Sequence, residues 1–287
     1  MSNAFDTIQR GSAISFPALG VTVDPPAYIT IFGKNIYFYG IIIALGFMLA
    51  IIYCAKHSKR FGIKEDDFYD TVLFLIPFSI LGARAYFVLF RLDEYLADPL
   101  SIFAIREGGL AIYGGVIAGI LTVALVCRHK KLRLTAMLDL LVFGLLIGQI
   151  VGRWGNFMNR EAFGGETDFF LRMGLTAKDG TTIFVHPTFL YESLWNLGCF
   201  VFLSIFVKSG KRKYDGQCLL LYFLIYGVGR AWIEGLRTDS LYIGSTGIRA
   251  SQMLSLVLVI VSAAVLFVLS RRSHPTDELY VNQVNEN

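Results

Sequence analysis

Seven apolar runs, each near twenty residues long, constrain this chain more than any other feature. They lie at residues 36–54, 68–90, 110–127, 135–157, 189–207, 218–236 and 250–269. A helix rising 1.5 Å per residue needs about 20 residues to cross a hydrocarbon layer about 30 Å thick. Hydrocarbon offers no partners for backbone N–H and C=O groups, so a run that enters it must satisfy itself as a helix. The predicted fold is therefore an all-α integral membrane protein with seven transmembrane helices. Composition agrees: 55% of the 287 residues are hydrophobic and 17% charged, with a mean hydropathy of +0.57. An ordinary soluble domain is excluded.

Lysine and arginine set the expected orientation. The short connections after the first, third, fifth and seventh runs hold fourteen of them, in Lys56–Lys64, Arg128–Arg133, Lys208–Lys213 and Arg271–Arg272. The other side holds nine over much longer segments: Arg10, Lys34, Arg91, Arg106, Arg160, Arg172, Lys178, Arg237 and Arg249. The positive-inside rule makes the first set cytoplasmic, with the N-terminus outside and the C-terminus inside. Residues 1–35 lack the basic start and apolar core of a signal peptide and are expected as an extracytoplasmic segment. A membrane domain then spans 36–269, with a small extracytoplasmic cap near 158–188. Residues 270–287 form a cytoplasmic tail, and its polar end (SHPTDELYVNQVNEN) predicts a loose segment. Cys54, Cys127, Cys199 and Cys218 show no metal-type spacing and read as free structural thiols. The four histidines show no ligand spacing either, so no metal site is expected.

Against this apolar background the stretch GRWGNFMNREAFGG, at 152–165, packs Arg153, Asn156, Asn159, Arg160 and Glu161 among four glycines. Ionisable groups at membrane depth usually face a cavity or bind something. Counting along the helices puts Arg84 roughly 26 Å, Arg153 roughly 27 Å and Arg230 roughly 20 Å from the cytoplasmic side. Tyr37, Tyr39, Gly108-Gly109, Tyr113-Gly114-Gly115, His186, Tyr191 and Glu192 fall near the same level. On the sixth run Tyr226, Arg230, Glu234 and Arg237 are spaced to share one helical face. One reading is a self-contained pair, Glu234 holding Arg230, with Tyr39 and Tyr226 as interfacial anchors. It leaves Arg84 and Arg153 short of carboxylates, since the nearby acids are mainly Glu161, Glu192 and Glu234. The other reading is positive charge left over for an anion at headgroup depth, a lipid phosphate. His186 reads as a loop or capping residue and Asp139 as structural.

The same stretch resembles the signature of the prolipoprotein diacylglyceryl transferase family, Gly-Arg-x-Gly-Asn-Phe-x-Asn-x-Glu-x-x-Gly. Gly152, Arg153, Gly155, Asn156, Phe157, Asn159, Glu161 and Gly164 fill every fixed position. Supporting segments follow the family's order: YFYG at 37–40, GARAYFVLF at 82–90, GGLAIYGG at 108–115, HPTFLYES at 186–193 and YGVGRAWIEGLR at 226–237. The resemblance implies transfer of diacylglyceryl from phosphatidylglycerol to the lipobox cysteine of a prolipoprotein signal peptide, at the outer face of the cytoplasmic membrane. A thioether forms and glycerol 1-phosphate leaves. No metal or organic cofactor is implied, and nucleic acid is not an expected partner.

By that resemblance Arg153 holds the lipid headgroup and Arg230 acts at the reacting phosphate. Asn156, Asn159, Glu161 and Gly164 shape the headgroup pocket. Glu234 orients Arg230, Arg237 adds positive charge, and Tyr39 and Tyr226 line the site. Many family members carry a histidine before the Gly-Gly of the third run, proposed as the base for the thiol. Here that position is Tyr113, a phenol with a pKa near 10 and a poor base at neutral pH. Tyr113 is counted with Arg153 and Arg230 as catalytic, and three alternatives stay open: Tyr113 assists by hydrogen bonding, the arginine field suffices, or His186 substitutes as the base. Two other classes remain open at this point. In a lipid or anion transporter, arginines line a path with polar groups through the full depth. A lipid-binding partner without activity would keep the pocket alone.

Overall fold

The computed structural model describes residues 13–105, 108–177, 179–240, 242–243 and 246–285. Arg10, Arg106 and Lys178 of the sparser basic set lie outside the described residues, as do the first twelve residues of the N-terminal segment and the last two of the tail. Among the described residues seven helices are long and apolar enough to cross a membrane: α1 (Phe38–His57, continued by a 3-10 turn Ser58–Phe61), α2 (Glu65–Leu89), α4 (Ile112–His129), α5 (Leu134–Asn159), α6 (Thr188–Lys208), α7 (Gln217–Leu236) and α8 (Ala250–Ser270). Short helices α3 (Leu92–Ala97) and α9 (Tyr280–Asn285) complete the α-helices among the described residues. Exposed Leu256, Ile260 and Phe267 on α8 show what the spans present outward. Such surface is costly in water and satisfied by lipid, and the chain is a multi-pass membrane protein.

The chain divides into two compact units, Met1–Tyr53 with Val142–Pro275, and Cys54–Leu141 with Thr276–Asn287. The first unit holds what the apolar runs did not predict, a small β-structure. Strands β1 (Ala13–Phe16), β2 (Val21–Val23), β5 (Met173–Thr176) and β6 (Thr182–Val185) form one antiparallel sheet in the order β2-β1-β5-β6. The N-terminal segment is thus part of the same sheet as the cap loop: Ile14 pairs with Leu175 in register. A separate hairpin, β3 (Tyr28–Ile31) and β4 (Lys34–Tyr37), leads into α1. The core under the larger sheet is Ile14, Phe163, Met173, Leu175, Val185 and Phe189, with Phe157 packed against it. Phe157 and Phe189 meet at 4.9 Å, and Trp154 lies against both. These rings sit at the end of α5 and the start of α6, so the cap core fixes where those helix ends stand.

In the second unit α2 and α4 cross with their backbones in close approach. A Cβ on Gly82 would stand 2.2 Å from that of Ala118, and one on Gly114 would stand 2.4 Å from the Gly82 carbonyl oxygen. Small residues at such a crossing let dispersion contacts replace the hydrophobic drive that lipid removes. The tail is not loose. Arg133 donates to the Glu278 carbonyl and to Gln283 Oε1 (3.3 Å), its guanidinium lies over the Tyr280 ring, and Gly62 packs on the backbone of Val281. Its polar composition hid these specific contacts with basic residues. All four cysteines are buried, and none is joined in a disulfide among the described residues.

Candidate active site

The end of α5 is shaped by its stop signal. Arg160 takes a left-handed conformation (φ 55°), its N–H bonds to the Phe157 carbonyl (3.1 Å), and the Glu161 N–H reaches back to that of Asn156 (3.0 Å). This is the paired-bond closure usually made with glycine. A non-glycine residue there costs about 1–2 kcal/mol. The Arg160 side chain, 4% exposed, offsets it by binding Asp24 (2.7 Å) and the carbonyls of Pro25 and Met158 (2.8 Å each). The turn folds Glu161 back along its own helix. Its Oε1 accepts from the amides of Asn156 (2.8 Å) and Asn159 (3.4 Å).

Gly164 and Gly165 then thread between two helix ends. Gly164 N–H donates to the His186 carbonyl (2.9 Å), Gly165 N–H to that of Leu236 (2.8 Å), and His186 N–H to that of Gly165 (3.1 Å). A Cβ on Gly164 would meet the His186 Cβ at 2.7 Å and the Leu236 oxygen at 2.9 Å. Only glycine fits, and its role is to fasten the exit of α5 to the start of α6 and the end of α7.

Those three helix ends converge on Glu192 of α6, whose side chain is 3% exposed. Its Oε1 lies 2.5 Å from Arg153 Nη2 of α5, and its Oε2 accepts from Arg230 Nη1 of α7 at 2.9 Å. One carboxylate therefore bridges the two arginines. Arg230 Nη2 also stands 2.6 Å from Glu234 Oε2, an ion pair whose alignment does not make a hydrogen bond. Arg153 Nη1 donates to Asn156 Oδ1 (3.1 Å). One turn below, Gln149 donates to the Tyr222 hydroxyl (2.8 Å), and the Tyr222 and Tyr226 rings stack at 5.1 Å. Tyr39 of α1 packs its ring on Gly155, where a Cβ would come within 2.8 Å of it.

Arg153, Arg230, Glu234, Asn156, Asn159, Glu161, Gly164, Tyr39 and Tyr226 thus all belong to the first unit. Arg237 stands at the end of α7, forked onto Asp239 (2.9 and 2.7 Å). Burial alone would raise the Asp239 carboxyl, but the Arg237 guanidinium outweighs it and holds the carboxyl below its ordinary range. His186 sits at 3.4 Å from the Tyr191 hydroxyl, and burial lowers its pKa. Tyr113 belongs to the second unit, in the first turn of α4, with 39% exposure.

Two expectations change. Arg84 is no reserve of charge for an anion: it is 6% exposed and donates to the carbonyls of Ser101, Ile102, Gly108 and Gly109 at 2.6–3.0 Å. It clamps Ser101 and Ile102 together with Gly108 and Gly109 in the second unit. The arginine pair carries no leftover charge either, because Glu192 and Glu234 balance Arg153 and Arg230. What remains is donor capacity. A guanidinium has five N–H groups, and the bonds described for Arg153 use two of them. Glu192 was among the acids that counting put at this level, and the missing signal was its partnership with both arginines, which pairs residues 38 and 39 positions apart in sequence.

Comparison with known proteins now bears on this arrangement. The model of the family described as Prolipoprotein diacylglyceryl transferase matches residues 26–268. The chain is 41% identical over 249 residues to a Finegoldia magna protein, covering 87% of this chain and 97% of that one. It is 44% identical over 231 residues to one from Clostridioides difficile (80% and 90%), and 41% over 257 residues to one from Enterococcus faecalis (87% and 91%). Each of these relatives is named phosphatidylglycerol–prolipoprotein diacylglyceryl transferase. Seven spans, the filled signature and a match over most of the chain agree: the protein belongs to the prolipoprotein diacylglyceryl transferase family.

Proposed function

We propose that this chain transfers the diacylglyceryl group of phosphatidylglycerol to the lipobox cysteine of prolipoproteins. The substrate sulfur attacks the glycerol carbon bonded to the phosphate. A C–S bond forms, the C–O bond breaks, and its electron pair leaves with glycerol 1-phosphate. The family and the relatives' names support this reading. The observation that carries it is the pair of arginines fixed on one buried carboxylate, Arg153 and Arg230 on Glu192.

Charge accumulates on the leaving phosphate as the C–O bond breaks. Donors already fixed in place stabilise that charge without reorganising, and act on the transition state more than on the substrate. Glu192 and Glu234 hold the guanidiniums in place, so aimed N–H groups, rather than excess positive charge, are the working element. Arg153 binds the phosphatidylglycerol headgroup and Arg230 the reacting phosphate. Asn156, Asn159, Glu161 and Gly164 shape the headgroup pocket, with Tyr39 and Tyr226 along its wall. Arg237, held by Asp239, adds a further cation. The enzyme works in the bacterial plasma membrane with this site toward the outer leaflet, where both substrates reach it within the lipid.

The test is direct. Purified protein is incubated with phosphatidylglycerol and a lipobox peptide, and the peptide is examined by mass spectrometry. Thioether product from wild type, and none from folded Arg153→Ala or Arg230→Ala, is the expected result. Absence of product from folded wild-type protein overturns the reading.

A further inference from the structure

The thiol of the incoming cysteine must lose a proton, and Tyr113, a phenol, is a poor base for it at neutral pH. The hydrogen bonds around the arginine pair single out one carboxylate. Glu192 is committed to Arg153 and Arg230, and Glu234 is paired with Arg230. Both are 2% exposed. Glu161 differs. It has no guanidinium partner among the described residues, it is only partly buried, and both hydrogen bonds described for its carboxylate come from side-chain amides and land on Oε1. Its Oε2 has no donor among the described residues. It is also placed beside the phosphate-binding group: Arg153 donates to Asn156 Oδ1 (3.1 Å), and Asn156 Nδ2 donates to Glu161 Oε1 (2.8 Å). One carboxamide therefore separates a cation suited to the leaving phosphate from a carboxylate with an available oxygen. Tyr39 lies within electrostatic reach of both Glu161 and Arg153.

We infer that Glu161 is the proton acceptor for the substrate thiol, a reading that rests on the proposed transferase activity. The S–H proton passes to Glu161 Oε2 as sulfur bonds to the glycerol carbon and the C–O electron pair departs with the phosphate. The leaving glycerol phosphate then takes that proton, and the carboxylate is restored. A free thiol has a pKa of about 8.5, which neighbouring guanidiniums lower, so transfer to a carboxylate in step with C–S bond formation is feasible. Asn156 and Asn159 hold the carboxylate in place for this step.

A selenocysteine lipobox peptide separates this role from a shaping one, because a selenol is already ionised at neutral pH and needs no base. Glu161→Gln lowers the rate with the cysteine peptide by about 10²- to 10⁴-fold more than it lowers the rate with the selenocysteine peptide. Equal loss with both peptides, or full activity with cysteine, overturns the assignment. Glu161→Asp keeps the carboxylate one methylene short, and its selenocysteine-to-cysteine rate ratio rises above the wild-type ratio. An unchanged ratio overturns the assignment even if Glu161→Gln does not fold. Wild-type protein that makes no product from either peptide defeats the transferase reading and this assignment together. An active wild type with an unaffected Glu161→Gln defeats the assignment alone.

Discussion

Replacing Glu192 with glutamine keeps its shape and removes the charge that two arginines share. Breaking a buried ion pair from one side costs about 3–5 kcal/mol when the remaining charge is uncompensated. Arg230 would keep Glu234 at 2.6 Å, so the stranded charge is mainly that of Arg153, whose side chain is 21% exposed. The expected loss of stability is therefore about 2–3 kcal/mol, or a fall in Tm of roughly 5–10 °C. Trp154, Trp195 and Trp232 lie on α5, α6 and α7, so their fluorescence reports unfolding of this region. Melts would be run in micelles free of anionic lipid. Arg153→Gln and the double variant complete a cycle. The double should lose less than the sum of the singles by about 1 kcal/mol or more. Turnover of the single Glu192 variant should fall as well, since both guanidiniums lose the group that aims them. A Tm unchanged from wild type, or strictly additive losses, would refute the bridge as the organising interaction.

Arg84→Lys should loosen the backbone at Ser101, Ile102, Gly108 and Gly109, because one ammonium cannot reach all four of their carbonyls. Limited proteolysis should find new cleavage there, and an unaltered digest would contradict the clamp. Burial lowers the His186 pKa below its unfolded value of about 6.5. The unfolded chain then binds more protons, so the stability from neutral His186 is lost as pH falls below that value. Melts from pH 7.5 to 5.5 should show a steeper decline for wild type than for His186→Gln, and parallel declines would count against it. Gly164→Ala sets a Cβ against the Leu236 carbonyl and the His186 Cβ, and should cost about 1–3 kcal/mol in thermal stability. Tyr113→Phe should keep thioether turnover near wild type, whereas complete loss with lipid binding intact would give its hydroxyl a step in the reaction.

Much of the fold could be read because membrane burial writes a simple pattern. All seven expected spans are present, with ends shifted by a few residues at most: the run at 135–157 became Leu134–Asn159, and that at 218–236 became Gln217–Leu236. The larger sheet was not legible, because β1 and β5 are four-residue strands more than 150 positions apart and pair only once the cap core of Ile14, Leu175 and Val185 assembles. The site was half legible. Helical spacing put Arg230 and Glu234 together, and the signature named Arg153, Asn156 and Glu161. Depth alone could not tell Arg84 from Arg153, since one finds backbone carbonyls and the other a carboxylate on a different helix. That distinction depends on tertiary partners, which no local pattern carries.

The central claim is that diacylglyceryl moves to sulfur while the phosphate departs from the arginine pair. It is tested most directly by following both products in one reaction. Purified enzyme, phosphatidylglycerol and a lipobox peptide are sampled over time, with thioether peptide and glycerol 1-phosphate quantified by mass spectrometry. The account predicts that the two appear together in equal amounts from wild type, and that neither appears from folded Arg230→Ala. Glycerol phosphate released without thioether, or thioether formed at the wild-type rate by Arg230→Ala, would contradict it.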